Sequence, residues 1–156
     1  MMRLSKLVVK DEKETILWMD ERGRITLPFK VKPQAFVPVW VDNSLYLLDS
    51  ILLMRLFATV DGDDIRIDYD KYEQILTELE QYRIKNMPIQ IPNTVKPTKK
   101  ITLPKVLRIT NYWVIESCKF KFKSVDAEVP AYKLTPVRIK IIKEVIKVDP
   151  SRIRKN

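Results

Sequence analysis

Residues 20–28 read DERGRITLP, and the last four letters of this stretch return 76 residues later as ITLP at 101–104. A basic residue precedes each copy, Arg24 in the first and Lys100 in the second. A four-letter match alone carries little weight, so the meaning of the repeat depends on what surrounds it.

The flanking segments repeat as well. An extended apolar run precedes each copy, at 15–19 and at 87–91, and a β-rich pair of runs follows each copy, at 39–48 and at 113–122. A base also stands four positions past each proline. These bases are Lys32 and Arg108. The agreement predicts an internal duplication, and a duplication changes the expected fold of the whole chain.

Composition favours a folded, soluble protein. The 156 residues are 46% hydrophobic and 31% charged, which is outside the range of disordered chains. No apolar run approaches the ~18 residues of a membrane span, and the first residues lack a secretory signal pattern. With no histidine and Cys118 as the single cysteine, zinc sites built on these ligands, histidine triads and internal disulfides are excluded. We expect a cytoplasmic protein without cofactor.

The net charge of +9 is spread unevenly. Residues 1–78 hold 11 Lys and Arg against 14 Asp and Glu, or −3, whereas residues 79–156 hold 18 against 6, or +12. A half-molecule this basic attracts polyanions, because neutralised phosphates release their condensed counterions. A merely solvated basic surface is the alternative. Nucleic acid is the leading candidate partner.

Turn residues predict β-hairpins in the first half. Gly23 can adopt positive φ at a tight turn between strands at 15–19 and 24–27, and a weaker strand is expected at 4–9. Asp42-Asn43-Ser44 are turn residues between strands at 38–41 and 45–48. A short helical turn is expected at 29–36, and 51–60 fits either strand or helix.

The second half is expected to begin with a helix and return to strands. Apolar residues at a spacing of three to four predict a helix over 70–85, with Asp70 and Glu73 as a capping box. A strand at 101–103, a short helix at 104–108 and a hairpin between 112–115 and 119–122 follow. Thr135-Pro136 resembles a helix start, although the β-branched residues of 136–148 permit strand as well as helix.

The stretch at 20–28, with Lys32 beyond it, resembles the signature of the SpoVT/AbrB swapped-hairpin family, which includes AbrB, MazE and MraZ-like proteins. The first copy matches over 15–48. The second, at 87–122, is degenerate, because Lys99 replaces the glycine and the acidic pair is absent. The resemblance implies strand-turn-strand units that interlock into a small barrel and present basic residues to DNA.

We therefore expect a mainly β fold with short helices (β-rich α+β): two tandem swapped-hairpin β-barrel-like units joined by one amphipathic helix. The expected segments are a first AbrB-like repeat at 1–60, an acidic turn and linker helix at 61–86, and a second, basic repeat with a C-terminal element at 87–156. Two units in one chain imply an intrachain pseudo-dimer, with a homodimer as the alternative.

The expected function is that of a DNA-binding transcriptional regulator without catalytic residues or metal. Basic side chains on the hairpins would contact double-stranded DNA, because arginine can hold a phosphate or a guanine edge through two bonds. The candidate residues are Arg22, Arg24, Lys30, Lys32, Lys99, Lys100, Lys105 and Arg108. For Arg24, a surface salt bridge to Asp20 or Glu21 is the competing interpretation.

Other aromatic and basic residues are assigned to packing or left as a second surface. The three tryptophans at 18, 40 and 113 lie in apolar runs and are expected in the core. Lysines at 119, 121 and 123 alternate with Phe120 and Phe122, which predicts one packed and one cationic face.

Two other functions stay open. An antitoxin-like protein could bind a basic protein through the acidic segment 61–80. A Mg²⁺-dependent nuclease could use the aspartates of 61–70, because two-metal chemistry needs carboxylates. That segment also has the composition of a turn followed by a helix N-terminus, which would place acids there without any catalysis.

Overall fold

The computed structural model describes residues 15–28, 35–91 and 99–137, which form a mainly β protein with two α-helices. The β-rich α+β expectation is therefore confirmed at that level. The strands are β1 (Thr15–Trp18), β2 (Arg24–Thr26), β3 (Phe36–Val41), β4 (Ser44–Asp49), β5 (Ala58–Asp61), β6 (Asp64–Ile67), β7 (Lys100–Thr102), β8 (Tyr112–Lys121) and β9 (Glu128–Val137). The helices are α1 (Ser50–Met54), α2 (Tyr69–Gln81) and a short 3-10 helix (Lys105–Leu107).

Strands from both halves of the chain build one antiparallel sheet in the order β1-β8-β9-β4-β3. The strand before the first ITLP copy, β1, pairs with the strand after the second copy, β8. The hairpin β3–β4 joins the hairpin β8–β9 through the pairing of β4 with β9. The order along the sheet therefore alternates between segments far apart in sequence.

The two ITLP copies pair with each other. Strands β2 and β7 form a separate antiparallel ribbon in which Ile25 lies opposite Ile101. Both isoleucines are buried, and the ribbon covers one face of the five-stranded sheet. The core between ribbon and sheet consists of Leu17, Ile25, Leu27, Phe36, Leu45, Leu47, Ile84, Ile101, Leu103, Leu107, Trp113, Ile115 and Leu134.

The opposite face of the sheet is covered by the helices. Ile75 and Leu79 of α2 are fully buried there, against strand residues that alternate with those of the first core. This second core contains Val37, Val39, Leu48, Leu53, Phe57, Ile75, Leu79, Phe120, Phe122, Val129 and Ala131. The result is a layered arrangement of ribbon, sheet and helices around two cores.

A buried carboxylate anchors α2. Glu78 is only 4% exposed, and its oxygens accept hydrogen bonds from the amides of Lys123 (2.9 Å) and Ser124 (2.7 Å) and from the Tyr82 hydroxyl (3.0 Å). Burial alone would raise the pKa of Glu78, but the bonds from Ser124, Lys123 and Tyr82 outweigh it and lower that pKa. The helix is thereby tied to the turn that connects β8 with β9.

Both predicted turns of the first half are present, and β3 and β4 form the predicted hairpin. The hairpin predicted across Gly23 is wrong, because β1 pairs with β8 and β2 pairs with β7, and an isolated bridge between Met19 and Ile25 is what joins the two segments in the described residues. Gly23 has φ +78° at the turn before β2, and the two residues between β3 and β4, Asp42 and Asn43, have φ +48° and +61°. Two successive positive φ values match the tight hairpin turn whose twist suits its strands. The segment 51–60, left undecided, holds most of α1 and the start of β5.

The hairpin predicted within 112–122 is wrong. Residues 112–121 form one continuous strand, β8, whose partner is β9. The expected turn at 116–118 contains no glycine or asparagine to reverse the chain. The turn lies instead between β8 and β9, around Ser124 and Asp126.

Thr135 and Pro136 do not begin a helix, because both lie in β9. Proline cannot donate to a strand ladder and is confined to positions where a neighbour is lacking. Strand β9 is paired with β4 only from Ala131 to Leu134. Pro136 is paired with Trp113 of β8 but with no β4 residue in the described part of the chain, so β9 has a ladder partner on one side only at this proline.

The predicted helix at 70–85 is present but begins and ends earlier, at Tyr69 and Gln81. Its N-cap is Asp68, which accepts a hydrogen bond from the Lys71 amide (3.1 Å), so the predicted Asp70–Glu73 capping box is wrong. Several predictions lie wholly or largely outside the described residues: the strand at 4–9, the helical turn at 29–36 and the element at 136–148 beyond Val137.

Candidate nucleic-acid interface

The turn that enters the ribbon is organised by Asp20. One carboxylate oxygen accepts hydrogen bonds from the backbone amides of Arg22 and Arg24, both at 2.9 Å. The other oxygen accepts a hydrogen bond from Nε of Arg24 at 2.8 Å. The backbone bond from Arg24 is the largest influence on the carboxyl, and together these contacts hold the pKa of Asp20 below its ordinary value. The conformation of the turn is therefore fixed by a charged residue within the 20–28 stretch.

Gly23 is needed at this turn for two reasons. Its φ of +78° strains any residue with a Cβ. A Cβ at this position would also collide with the guanidinium of Arg108, which lies directly over the glycine and donates from Nε to the Leu103 carbonyl at 2.9 Å. The glycine of the first copy is thus in contact with Arg108, the basic residue four positions past the proline of the second copy, and the two copies meet at one end of the ribbon.

The ribbon closes in the same way at both ends. The Leu103 amide donates to the Gly23 carbonyl at 2.8 Å, and the Leu27 amide donates to the Lys99 carbonyl at 2.6 Å. Exchanging the two copies converts one of these bonds into the other. Lys99 also donates from Nζ to the Pro28 carbonyl at 3.2 Å.

The outer face of the ribbon is polar and basic. Ile25 and Ile101 point inward, so their neighbours along each strand, Arg24 with Thr26 and Lys100 with Thr102, share the other face. Across the ribbon Arg24 lies opposite Thr102, and Lys100 lies opposite Thr26. The two bases are consequently diagonal neighbours on one surface.

Six of the eight predicted basic residues are grouped around this ribbon. Arg22, Arg24, Lys105 and Arg108 belong to the Gly23 end, and Lys99 and Lys100 belong to the other end. Segments 20–28 and 99–109 contain these six basic residues and two acidic residues, Asp20 and Glu21. The remaining two candidates, Lys30 and Lys32, lie outside the described residues.

The six basic residues differ in exposure and in their hydrogen-bond partners. Arg24 forms the salt bridge to Asp20 that was the competing interpretation, with the two side chains 34% and 39% exposed. Arg108 is half-buried against Gly23 and Leu103. Arg22, Lys100 and Lys105 are exposed. The accessible positive charge of the interface therefore comes mainly from these three residues, with Arg24 held in a fixed orientation beside them.

The tryptophan prediction is wrong for Trp18. Trp113 is fully buried and Trp40 packs against the same core. Trp18, in contrast, is 67% exposed, and its ring lies edge-on to that of Tyr112 with 4.4 Å between the centroids. Strand alternation with the buried Leu17 would have revealed this orientation. Ile109, 60% exposed, adds apolar surface one residue after Arg108.

Two other charged surfaces are separate from the ribbon. Lys119, Lys121 and Lys123 are exposed while Phe120 and Phe122 are buried, which confirms the predicted alternation. The cleft beside Glu78, of about 510 Å³, is lined by α2 and the turn after β8 and contains no ribbon residue.

The aspartates of 61–70 are exposed along the β5–β6 hairpin and the start of α2. Among the described residues no three His, Cys, Asp or Glu side chains are grouped as a metal site would require. The geometry therefore offers the nuclease hypothesis no preassembled carboxylate cluster in this part of the chain.

Comparison of the chain with protein-family models, curated proteins and solved structures finds no match. In the described part of the chain, the helices are too short or too polar for a bilayer span.

Proposed function

We propose that this protein is a DNA-binding transcriptional regulator whose β2–β7 ribbon contacts double-stranded DNA with its outer face. The observation that carries the proposal is the pairing of the two ITLP copies, which assembles basic residues from distant parts of the sequence on one narrow surface. The major groove of B-DNA admits a two-stranded ribbon.

The strand pairing supports an intrachain pseudo-dimer of the swapped-hairpin kind. In such an arrangement each unit contributes strands that pair with the other unit. Here β1 of the first segment pairs with β8 of the second, and β2 pairs with β7. We propose that the single chain thereby builds the barrel-like scaffold for which AbrB-type proteins need two chains.

Electrostatics supplies the attraction. The ribbon lies where the basic second half, with its +12 charge, contributes Lys99, Lys100, Lys105 and Arg108. Each phosphate neutralised on duplex DNA releases counterions, so that log K falls with log[salt] by about 0.9 per phosphate. Contact with phosphates through four or more basic side chains would therefore make the affinity for DNA steeply dependent on salt.

The test is a fluorescence-anisotropy titration of a labelled random duplex at several salt concentrations, with Arg24→Ala and Arg66→Ala compared. Arg66 is a matched control, because it also lies on a two-stranded ribbon and is also paired with an aspartate, Asp61, at 2.9 Å. We expect the Arg24→Ala protein to bind about 5-fold or more weakly and the Arg66→Ala protein to bind like wild type.

Circular dichroism and urea unfolding of both variants check that neither substitution disrupts the fold. A salt response that is flat between low and moderate ionic strength would contradict the proposed phosphate contacts. Equal loss of affinity in the two variants would place the DNA elsewhere on the molecule.

A further inference from the structure

The β2–β7 ribbon has a local twofold symmetry in its backbone. Exchanging the two ITLP copies converts the Arg24–Thr102 pair into the Lys100–Thr26 pair and leaves the central pair of isoleucines unchanged. The closing bonds at the two ends, from Leu103 and Leu27, also exchange. A twofold-symmetric protein surface places equivalent side chains on equivalent bases of a palindromic duplex.

The side chains at the equivalent positions differ in chemistry. Arg24 carries a planar guanidinium that can bond both major-groove acceptors of guanine at once, whereas Lys100 carries an ammonium that acts as a point charge. A lysine in place of the arginine keeps the attraction for phosphate but loses the fixed two-bond geometry. The two halves of the ribbon therefore have equivalent backbones, but their side chains differ in the capacity to recognise a particular nucleobase.

Asp20 increases this inequality. Its bond to Nε of Arg24 orients the guanidinium, and within the described residues the terminal nitrogens of that guanidinium make no hydrogen bond. Asp20 is itself fixed by the amides of Arg22 and Arg24. In the second copy the sequence position equivalent to Asp20 is occupied by Lys96, so a carboxylate four residues before the basic residue is present in the first copy and not in the second.

The ends of the ribbon differ in the same sense. The position of Gly23 in the first copy corresponds to Lys99 in the second. At the first end the guanidinium of Arg108 lies over the glycine, while at the second end Lys99 directs Nζ to the Pro28 carbonyl. Lys99 therefore adds a cationic side chain at the second end at the position where the first end has a glycine.

We propose that the ribbon recognises an asymmetric duplex site in one orientation, with Arg24 reading a guanine in one half-site and Lys100 contacting the other half-site without selecting a base. This inference rests on the proposed function and specifies its target class: a non-palindromic DNA element bound by one chain. Asp20 acts in it as a positioning residue.

The test is selection of binding sites from a library of random duplexes by the wild-type protein, the Lys100→Arg variant and the Arg24→Lys variant. Wild type should enrich a non-palindromic motif with one strongly preferred guanine. Lys100→Arg should gain a second guanine preference at the position related by twofold symmetry, and Arg24→Lys should lose the first. Replacing the preferred guanine in the enriched duplex should weaken wild-type binding about 5- to 150-fold and Arg24→Lys binding less than about 3-fold.

The outcomes distinguish failure of the asymmetric recognition from failure of DNA binding itself. A palindromic wild-type motif, a motif unchanged in both variants, or salt-dependent binding without any enriched motif would overturn the asymmetric readout and leave DNA binding intact. Absence of binding to every duplex at low salt would overturn the proposed function. Both substitutions exchange one cation for another at positions that are not fully buried, so their unfolding curves should match that of wild type and serve as the folding control.

Discussion

The described residues contain two separate two-stranded antiparallel ribbons, which differ in sequence separation, in packing and in charge. The β2–β7 ribbon joins strands from distant parts of the chain and buries Ile25 and Ile101 beneath a basic outer face. The β5–β6 ribbon joins neighbouring strands and leaves Val60 78% and Ile65 66% exposed. Residues 58–70, which include it, hold five aspartates and one arginine.

The difference shows that strand pairing by itself does not make a rigid surface. A two-stranded ribbon alone is only marginally stable in water and needs a hydrophobic face packed on another layer. The β2–β7 ribbon has that layer in the five-stranded sheet. The β5–β6 ribbon is fixed to the second core mainly at its base, where Phe57 is buried, and its charged tip points away from any packed layer.

The largest expected effect concerns the isoleucines of the two ribbons. Ile25→Ala should lower the free energy of unfolding by about 2–5 kcal/mol, because it removes buried methylene groups and leaves a cavity. Ile65→Ala, made on the exposed ribbon, should change it by less than about 0.5 kcal/mol. Urea denaturation followed by circular dichroism measures both. Equal losses in the two variants would show that the β5–β6 ribbon is packed in solution.

A second prediction concerns Glu78, the buried carboxylate of α2 that ties this helix to the turn between β8 and β9. Glu78→Gln should lower the free energy of unfolding by about 1–3 kcal/mol at pH 7, because the amides of Lys123 and Ser124 lose a charged acceptor. Glu80→Gln is the matched control, since the Glu80–Arg83 ion pair on the same helix is 45% exposed on both sides and contributes little.

The pH dependence of that difference follows from the lowered pKa of Glu78. A carboxyl whose pKa is lower in the folded than in the unfolded state stabilises the protein fully above the unfolded value, ordinarily 4.5, and less as the pH falls through the folded value. Urea curves at pH 7 and pH 3 should therefore show the gap between wild type and Glu78→Gln narrowing in acid. A gap that widened in acid would contradict this assignment.

The smallest expected effect compares the two glycines. Gly23→Ala and Gly62→Ala both place a Cβ at positive φ, +78° and +65°, which costs about 1–2 kcal/mol. Gly62 has open space around it, whereas Gly23→Ala must also displace Arg108 and break its bond to Leu103, adding about 1 kcal/mol.

The double variant Gly23→Ala/Arg108→Ala isolates that extra cost. If the guanidinium is its source, introducing Gly23→Ala into an Arg108→Ala background should cost no more than Gly62→Ala does in wild type, measured by urea denaturation. A cost that stayed larger would assign the excess to the backbone of the turn.

Local patterns in the sequence were sufficient for elements that depend on near neighbours. The turns at Gly23 and Asp42-Asn43, the helix that holds Ile75 and Leu79, and the alternation around Phe120 were all predicted from spacing and turn chemistry. Predictions failed where the outcome depended on a distant partner. Thr135 and Pro136 lie in a strand, not at a helix start, because β9 pairs with β8 and with β4, and neither partner is apparent from the local sequence.

For the candidate interface, the sequence by itself determined which residues are basic, that they cluster in the second half, and that two similar segments exist, because charge and local repetition are properties of the chain alone. Only the tertiary structure decided that the two segments pair with each other and that Arg108 lies over Gly23. The physical reason is that these contacts join residues brought together by burial of Ile25 and Ile101 under one ribbon, and the free energy of that burial belongs to the folded arrangement as a whole.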